Sequence, residues 1–240
     1  MSDSMRLDKR LAQLIHCSRG EAQKYIKGGW VLVDGEVVDR PAFSVQEQKV
    51  ELHTDATLEA VEPVTFLLHY PVGFDVNASP TAPIELITAA TRTPDDSYGI
   101  AIHKSHFSKL KATAPLEQGA TGLLVFTNDW QVERRLIEDA DKNEQEYIVE
   151  VNGDINADVL KKLNQPMKQG IWPLPETKVS MQSETRLRFA LKYVRPGQIE
   201  YMCQHVGLKV AAMRRIRIGR VSMGKLPLGQ WRYLPKGMAF

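Results

Sequence analysis

Apolar and polar positions follow a helical period at the start of the chain. Four apolar residues fall on one face of a predicted helix over Arg6–Ile15: Leu7, Leu11, Leu14 and Ile15. A second helix is predicted to begin at Ser18, because Glu21 follows three residues later, as in a capping box. Gly28 and Gly29 are expected to end it, since glycine tolerates the left-handed backbone found after a helix.

The pattern then changes to strands. Trp30–Val33 and Glu36–Val38 are rich in β-forming residues and flank Asp34-Gly35, a dipeptide typical of a tight hairpin turn. Two short helices followed by a hairpin therefore predict a first module over residues 1–60, with a linker at about residues 53–63.

From Val64 onward, short apolar runs alternate with helical patterns, which is typical of the α+β class. The predicted strands are Phe66–His69, Ile100–Ile102, Gly122–Phe126, Tyr147–Val151 and Arg186–Leu191. The predicted helices are Val132–Ile137, Ala157–Leu163 and Glu200–His205. Asn152-Gly153 predicts a turn, and the proline-rich stretch Pro166–Pro175 predicts a loop. We therefore expect residues 64–240 to form a second, larger domain.

Composition narrows the class of protein. The 240 residues include 43% apolar and 25% charged residues, which excludes a disordered, collagen-like or disulfide-scaffold protein. The two cysteines, Cys17 and Cys203, lie far apart, as expected in a reducing compartment. The N-terminus is polar, and no apolar run approaches ~18 residues. These features predict a cytoplasmic protein that does not enter a membrane.

Charge is unevenly distributed, although the net charge is only +2. Between Lys192 and Lys236 there are ten bases and one acid, so this segment carries +9 and the rest of the chain −7. Its densest part contains Arg214, Arg215, Arg217 and Arg220. Because local potential rather than net charge attracts phosphate, the segment favours a polyanionic partner. A solvated basic face without a partner is the alternative.

Three segments of the first module resemble the alpha-L RNA-binding domain, a fold first met in a ribosomal small-subunit protein. These segments are Arg6–Lys9, Ser18–Ala22 and Val31–Val38. The resemblance implies that the bases on the polar faces of the two helices face RNA: Arg6, Lys9, Arg10, Arg19, Lys24 and Lys27. A plain helical hairpin with exposed lysines is the less favoured interpretation.

Thr121–Asp129 resembles the strand after the active-site loop of RNA pseudouridine synthases, in the class that carries an alpha-L domain and acts on ribosomal RNA. The end of the chain agrees at Met202-Cys203, Gly207–Val210, Arg214–Gly219 and Leu226–Arg232. The resemblance covers essentially the whole chain. It implies a mixed-sheet domain in which an aspartate isomerises a uridine flipped out of structured RNA, with no metal or cofactor.

The family's catalytic signature is altered here. The motif G-R-L-D becomes Ala114-Pro115-Leu116-Glu117, so Glu117 stands where the family has its catalytic aspartate. Tyr147 matches the active-site tyrosine of the K-x-Y strand, but Gln145 replaces the lysine. Glutamate is one methylene longer than aspartate, and a misplacement near 1 Å can cost roughly a hundredfold in rate.

Two further motifs lose a base. R-Q-I-R-R-M, which in the family supplies an arginine that pairs with the aspartate, becomes Gly197–Met202, with Glu200 at the position of that arginine. K-P-x-G near the start of the domain becomes Tyr70–Gly73. If Glu200 lies beside Glu117, a repulsion replaces an attraction.

These observations favour an RNA-binding member of the family with reduced or no isomerase activity. The alternative is an active synthase in which Glu117 is the catalytic carboxylate and Tyr147 stacks on the base. A protein-interaction module that binds no RNA is a third and weaker interpretation.

The expected partner is structured RNA, and by resemblance ribosomal RNA, bound by a monomer. No metal site is expected, because His103 and His106 lack further ligands at metal-binding spacing. We expect Trp30, Trp172 and Trp231 to be core or loop anchors rather than base-stacking platforms.

Overall fold

The computed structural model describes residues 4–54, 56, 58, 62–71, 82–96, 104–107, 110–117 and 119–240. The chain divides into two compact units, Met1–Pro63 with Ile100–Leu110 and Val64–Gly99 with Lys111–Phe240. The expected combination of helices and mixed strands is confirmed. The predicted strand Ile100–Ile102 and the candidate ligand His103 lie outside the described residues.

Between residues 4 and 54, the first unit contains two α-helices and five short strands. They are β1 (Met5–Arg6), α1 (Leu7–Leu14), α2 (Arg19–Lys27), β2 (Val31–Val33), β3 (Glu36–Val37), β4 (Ser44–Val45) and β5 (Val50–Leu52). Strands β3, β2 and β5 form an antiparallel sheet, and β1 pairs with β4. The apolar faces of the helices pack with these strands into one core that includes Leu7, Leu11, Ile26 and Val31.

Local sequence signals account for the ends of these elements. The Ser18 hydroxyl accepts the Glu21 backbone N–H at 3.2 Å and the Glu21 carboxylate accepts the Ser18 N–H at 2.8 Å, so the predicted capping box is confirmed. Asp34 and Gly35 both have positive φ, 51° and 83°, as a two-residue turn between β2 and β3 requires.

The second unit is built on one large sheet. Its elements are β6 (Thr65–Tyr70), β7 (Lys111–Thr113), β8 (Ala120–Thr127), α3 (Trp130–Ile137), β9 (Glu144–Asn152), α4 (Ala157–Leu163), β10 (Lys168–Gln169), β11 (Trp172–Pro173), β12 (Thr177–Ser183), β13 (Arg186–Lys192), α5 (Gln198–His205), β14 (Lys209–Ile218), β15 (Val221–Ser222) and β16 (Trp231–Tyr233). Short 3-10 helices span Ala82–Leu86, Ala89–Thr91 and Ala140–Lys142 in this unit, and a further one, Lys104–Phe107, belongs to the first unit.

The strand order of this sheet is β12-β13-β9-β14-β8-β6-β16, with β7 beside β8 and β15 beside β14. Strands β14 and β8 run parallel, and the other described pairs are antiparallel. One apolar core under the sheet includes Leu67, Leu123, Leu136 and Ile218. The sheet therefore places β9, β14 and β8 side by side at its centre.

Two expectations from the sequence are wrong in this unit. The loop predicted over Pro166–Pro175 contains the hairpin of β10 and β11, which pair through Gln169 and Trp172. Trp172 is exposed rather than an anchor. Trp231, in contrast, is fully buried, as expected of a core residue.

Candidate functional site

Three central strands bring Tyr147 and Arg215 together. Tyr147 on β9 lies opposite Arg215 on β14, which in turn lies opposite Gly122 on β8. Both side chains are fully buried, and the guanidinium carbon of Arg215 is 6.0 Å from the centroid of the Tyr147 ring. The tyrosine singled out by the sequence therefore shares its surroundings with an arginine that the sequence assigned to the surface.

Gly122 permits this close arrangement of strands. Its φ of 105° is one that residues with a side chain rarely adopt. A Cβ atom on Gly122 would lie 2.7 Å from the backbone nitrogen of Arg215 and still closer to its carbonyl oxygen. The backbone of β14 therefore occupies the space that any side chain at position 122 would need.

The Arg215 guanidinium holds together the loop that leads to Glu117. It donates to the carbonyl oxygens of Leu123 (2.9 Å and 2.7 Å), Pro115 (3.0 Å) and Ala114, and to Oε1 of Gln145 (2.9 Å). Among the described residues, no carboxylate lies within ion-pair distance of Arg215. Buried and fully hydrogen-bonded, the group is a structural cation of the site.

Ala114 adopts a backbone conformation that favours glycine. Its φ is 49°, and it stands where the G-R-L-D motif has glycine. The hydrogen bond from Arg215 to the Ala114 carbonyl helps to hold this turn. The loop is therefore kept in shape although the glycine is absent.

Glu117 is buried and bound to the N-terminus of α5. Its Oε2 accepts the Gly197 backbone N–H at 3.1 Å, and its Oε1 accepts that of Ile199 at 3.2 Å. The residue is only 3% exposed. Gly197 has no side chain to cap α5, so a carboxylate from a distant loop binds two of the amide groups that a helix start leaves without partners.

Glu200 does not lie where the sequence suggested. It is exposed on α5, and its carboxylate accepts a hydrogen bond from Gln204 at 3.2 Å. The expected repulsion between Glu200 and Glu117 is therefore a wrong prediction, because the first turn of α5 presents its backbone, not the Glu200 side chain, to Glu117.

Burial controls the ionisation of the two central side chains. It raises the pKa of the Tyr147 hydroxyl, an effect that the Arg215 charge opposes and the Glu117 charge reinforces. The Tyr147 hydroxyl donates to Gln145 Oε1 at 3.2 Å. Burial also lowers the pKa of Arg215 from its usual value. Tyr147 is therefore a neutral hydrogen-bond donor in this site.

The cysteines do not have the surroundings of nucleophiles. Burial, with a contribution from the charge of Glu200, raises the pKa of the Cys203 thiol to about 12. Burial likewise raises the pKa of Cys17. Both thiols are therefore protonated near neutral pH.

The six bases assigned to RNA in the first unit are all exposed: Arg6, Lys9, Arg10, Arg19, Lys24 and Lys27. Two of them are held by a buried acid. Asp8 accepts hydrogen bonds from Arg6 (3.0 Å and 3.2 Å), from Arg19 (3.2 Å) and from the Gln23 amide (3.0 Å). Asp8 therefore fixes the direction of two cations while leaving about half of each side chain exposed.

These contacts make the stability of the protein depend on Asp8 at acid pH. Its pKa is held far below the ordinary carboxyl value of 3.8, first by the Arg6 hydrogen bonds. The ionised form then stabilises the fold above pH 3.8, and this contribution is lost as the pH falls towards the folded-state value. We expect Asp8→Asn to flatten the acid side of the stability profile, as measured by urea titrations between about pH 3 and pH 6. Equal acid-side slopes for the two proteins would contradict this expectation.

The basic run at the end of the chain is less available than its sequence suggests. The assignment of Arg215 to an RNA-binding surface is wrong, because its side chain is fully buried. Arg217 forms ion pairs with Glu144 (2.5 Å) and Glu146 (2.6 Å) on the neighbouring strand β9. Acidic residues of β9 and basic residues of β14 thus lie side by side in the sheet and partly neutralise each other.

Arg214 and Arg220 remain exposed. Arg220 lines a cleft of about 740 Å³ to which three further bases contribute: Arg135, Lys142 and Lys236. This cleft is a concentration of positive charge that the linear sequence did not reveal, because its bases come from four separate segments.

No metal site or membrane segment emerges from the part of the chain that is described. Its His, Cys, Asp and Glu side chains form no group of three or more that could hold a metal ion. Its helices are all too short or too polar to span a bilayer.

Comparison with known proteins assigns both units to families. Residues 5–50 match the S4 domain. An uncharacterized RNA pseudouridine synthase of Aquifex aeolicus (strain VF5) is 30% identical over 236 residues, which cover 96% of this chain and 92% of that protein. The chain belongs to the RNA pseudouridine synthase family.

Other members of the family support the assignment. The dual-specificity RNA pseudouridine synthase RluF of Escherichia coli (strain K12) is 26% identical, with 96% of this chain and 76% of that protein covered. The ribosomal small subunit pseudouridine synthase A of Pseudomonas aeruginosa is 29% identical, with 96% of each chain covered. A crystal structure of a pseudouridylate synthase shares the fold, with a TM-score of 0.59, 21% identity and coverage of 97% and 96%.

Within this member of the RNA pseudouridine synthase family, the sequence did not reveal the buried position of Arg215 or the contact of the α5 N-terminus with Glu117. The alternation of side chains along a strand could have indicated that Arg215 is buried, since Met213 and Arg215 are buried while Arg214 between them is exposed. The role of the α5 amides carries no such signal, because it depends on backbone groups.

Proposed function

We propose that the protein binds structured RNA and has reduced or no isomerase activity. The observation that carries this proposal is the position of Glu117, whose two carboxylate oxygens each accept a backbone N–H of α5. Each bond occupies a lone pair and holds the carboxylate against the helix. A nucleophile or base has to approach the substrate, and moving Glu117 away from the helix would break these two bonds, so the arrangement favours a structural role for Glu117.

The surrounding substitutions support the same proposal. Pro115 stands where the family motif has a basic residue, and Gln145 replaces the lysine of the K-x-Y strand. Arg215 donates its hydrogen bonds to loop carbonyls and to Gln145 rather than to a carboxylate. Positions 115 and 145 therefore carry no charge, and the Arg215 guanidinium is engaged with other acceptors.

RNA binding is supported by the family and by the exposed bases. The relatives include a ribosomal small subunit pseudouridine synthase, which makes ribosomal RNA the proposed partner of this chain. The exposed bases of α1 and α2, together with Arg214 and Arg220, are the proposed contacts to phosphate. The division at residues 53–63, the monomeric state and the cytoplasmic location expected from the sequence stay predictions.

The alternative is an active synthase that uses Glu117 and Tyr147. One observation favours it: both side chains are buried in the same site, close enough for the charge of Glu117 to raise the pKa of Tyr147. In this alternative, substrate binding would have to release the carboxylate from the α5 amides.

Loss of activity predicts that deletion of the gene leaves every ribosomal pseudouridine in place. Ribosomal RNA from deletion and parent strains would be compared by carbodiimide labelling and primer extension, and purified protein would be assayed on ribosomal RNA transcripts. We expect no difference between the strains and no pseudouridine in the transcripts.

A Glu117-dependent pseudouridine would contradict the proposed loss of activity. A pseudouridine that is lost on deletion, restored by the wild-type gene and not restored by Glu117→Gln would establish the active alternative. Glu200→Gln is the matched control, since this acid is exposed on α5, where its carboxylate accepts a hydrogen bond from Gln204 rather than contacting the buried site.

A further inference from the structure

The hairpin of β10 and β11 carries two large apolar side chains in solvent. Ile171 is 81% exposed and Trp172 is 64% exposed, and Ile171 is the most exposed large apolar side chain among the described residues. Gly170, with a φ of 63°, makes the turn, and the Leu174 N–H donates to the Met167 carbonyl at 2.9 Å to close the hairpin. Two large apolar side chains exposed next to each other on a closed turn are a candidate contact surface.

Positive charge surrounds this hairpin. Four exposed lysines lie on it or on the elements next to it in the chain: Lys161, Lys162, Lys168 and Lys178. The exposed acid Glu176 is their counterpart in the same stretch, so the segment from Lys161 to Lys178 keeps a charge of +3. Asn164 joins the end of α4 to β12 by two hydrogen bonds of 2.9 Å with Val179, so the two elements that carry Lys161, Lys162 and Lys178 are held together.

The hairpin is attached to the helix that binds Glu117. The Tyr201 hydroxyl of α5 donates to the Lys168 carbonyl at 2.8 Å. The first turn of the same helix donates its amides to Glu117. A ligand held at the hairpin is therefore held relative to the site by one rigid helix.

We propose that this hairpin contacts unpaired nucleotides of the RNA, with Trp172 stacked on a base, Ile171 packed at its edge and the lysines beside flanking phosphates. Unpaired bases in RNA loops are recognised by stacking on aromatic side chains, and lysines neutralise the adjoining phosphates. A protein partner fits less well, because stable protein interfaces bury about 800 Å² per partner and the exposed apolar surface here is two side chains. The inference rests on the proposed RNA-binding function and assigns it a contact in the second unit.

The test uses a fluorescein-labelled RNA hairpin with an unpaired loop and a fully paired duplex of equal length as probes. Because stacking contributes about one to three kcal/mol per base, Trp172→Ala is expected to weaken binding of the looped probe about tenfold or more. Trp172→Phe should recover most of the affinity. Trp130→Ala is the matched control, since Trp130 is 65% exposed but lies on α3.

The salt dependence of RNA binding distinguishes base stacking by Trp172 from contacts between lysines and phosphates. Trp172→Ala should lower the affinity while leaving the dependence on salt concentration unchanged, whereas Lys161→Ala with Lys162→Ala should reduce that dependence. Binding of the duplex should be the same for wild type and Trp172→Ala. Thermal unfolding of each variant would confirm that the fold is intact.

The outcomes distinguish this inference from the function on which it rests. If the wild-type protein binds both probes and Trp172→Ala binds the looped probe equally well, the hairpin contact is wrong and RNA binding stands. If the wild-type protein binds neither probe, both are wrong. A Trp172-dependent self-association of the protein without RNA, seen by sedimentation, would replace the RNA contact with a protein contact.

Discussion

Replacing Arg215 with alanine is expected to lower the free energy of unfolding by about 3 to 5 kcal/mol. The substitution leaves a cavity where a fully buried side chain was, and it removes the donors to the carbonyls of Ala114, Pro115 and Leu123. Urea unfolding of the wild-type and variant proteins measures the difference.

Arg214→Ala is the matched control for this prediction. Arg214 is the adjacent arginine on the same strand, but it is exposed, so its loss should change the free energy of unfolding by no more than about 0.5 kcal/mol. It should instead weaken RNA binding and reduce its salt dependence if Arg214 contacts phosphate. Equal stabilities for the two variants would contradict the structural role of Arg215. A double substitution of Arg214 and Arg215 would confuse these two effects.

Gly122→Ala is expected to lower the free energy of unfolding by more than about 3 kcal/mol or to prevent folding. The new Cβ would lie 2.7 Å from the Arg215 backbone nitrogen, in a backbone conformation with a φ of 105° that alanine rarely adopts. Strand β14 would have to move away from β8, and Arg215 would move with it. Urea unfolding and near-ultraviolet circular dichroism would report the loss.

Gly119→Ala measures the effect of backbone strain without the steric crowding that occurs at Gly122. Gly119 also has a positive φ, 74°, but a Cβ atom there would meet nothing within 4 Å. Gly119→Ala should therefore lower the free energy of unfolding by only about 1 kcal/mol, which is the strain of the left-handed backbone conformation alone. Similar losses for the two variants would show that contact between β8 and β14 at position 122 is unimportant.

The first unit was largely predictable because its signals are local. Ser18 and Glu21 are three residues apart, and Asp34-Gly35 are adjacent, so the capping box and the turn can be read directly from the sequence. The buried face of α1 follows from a period of 3.6 residues. Asp8 was not singled out, because a buried acid on a polar helix face has no distinguishing pattern.

The second unit was predictable only in part because its order is set by distant pairings. Individual strands such as β8 and β13 have clear apolar patterns, but nothing local places β14 between β9 and β8. A run of four arginines therefore looked like one surface, whereas alternation along β14 buries Arg215 and pairing with β9 neutralises Arg217.

The identity of Glu117 was readable from the sequence, but its surroundings were not. The motif placed a carboxylate at the family's catalytic position, and the structure puts backbone amides of Gly197 and Ile199 against it. Backbone donors leave no trace in the side-chain sequence. The sequence therefore indicates Glu200 as the neighbour of Glu117, whereas the true neighbours are backbone amides.

The parallel pairing of β14 with β8 also bears on how the second unit folds. About 90 residues separate the paired positions of these strands, whereas β9 and β13 pair across a much shorter stretch. Pairings between distant segments form slowly, because the intervening chain must lose its freedom first. Until β14 arrives, the edges of β8 and β9 that it covers are unpaired and able to associate with other strands. One edge of β8 and one edge of β9 are thus open to wrong pairing between the synthesis of β8 and the insertion of β14.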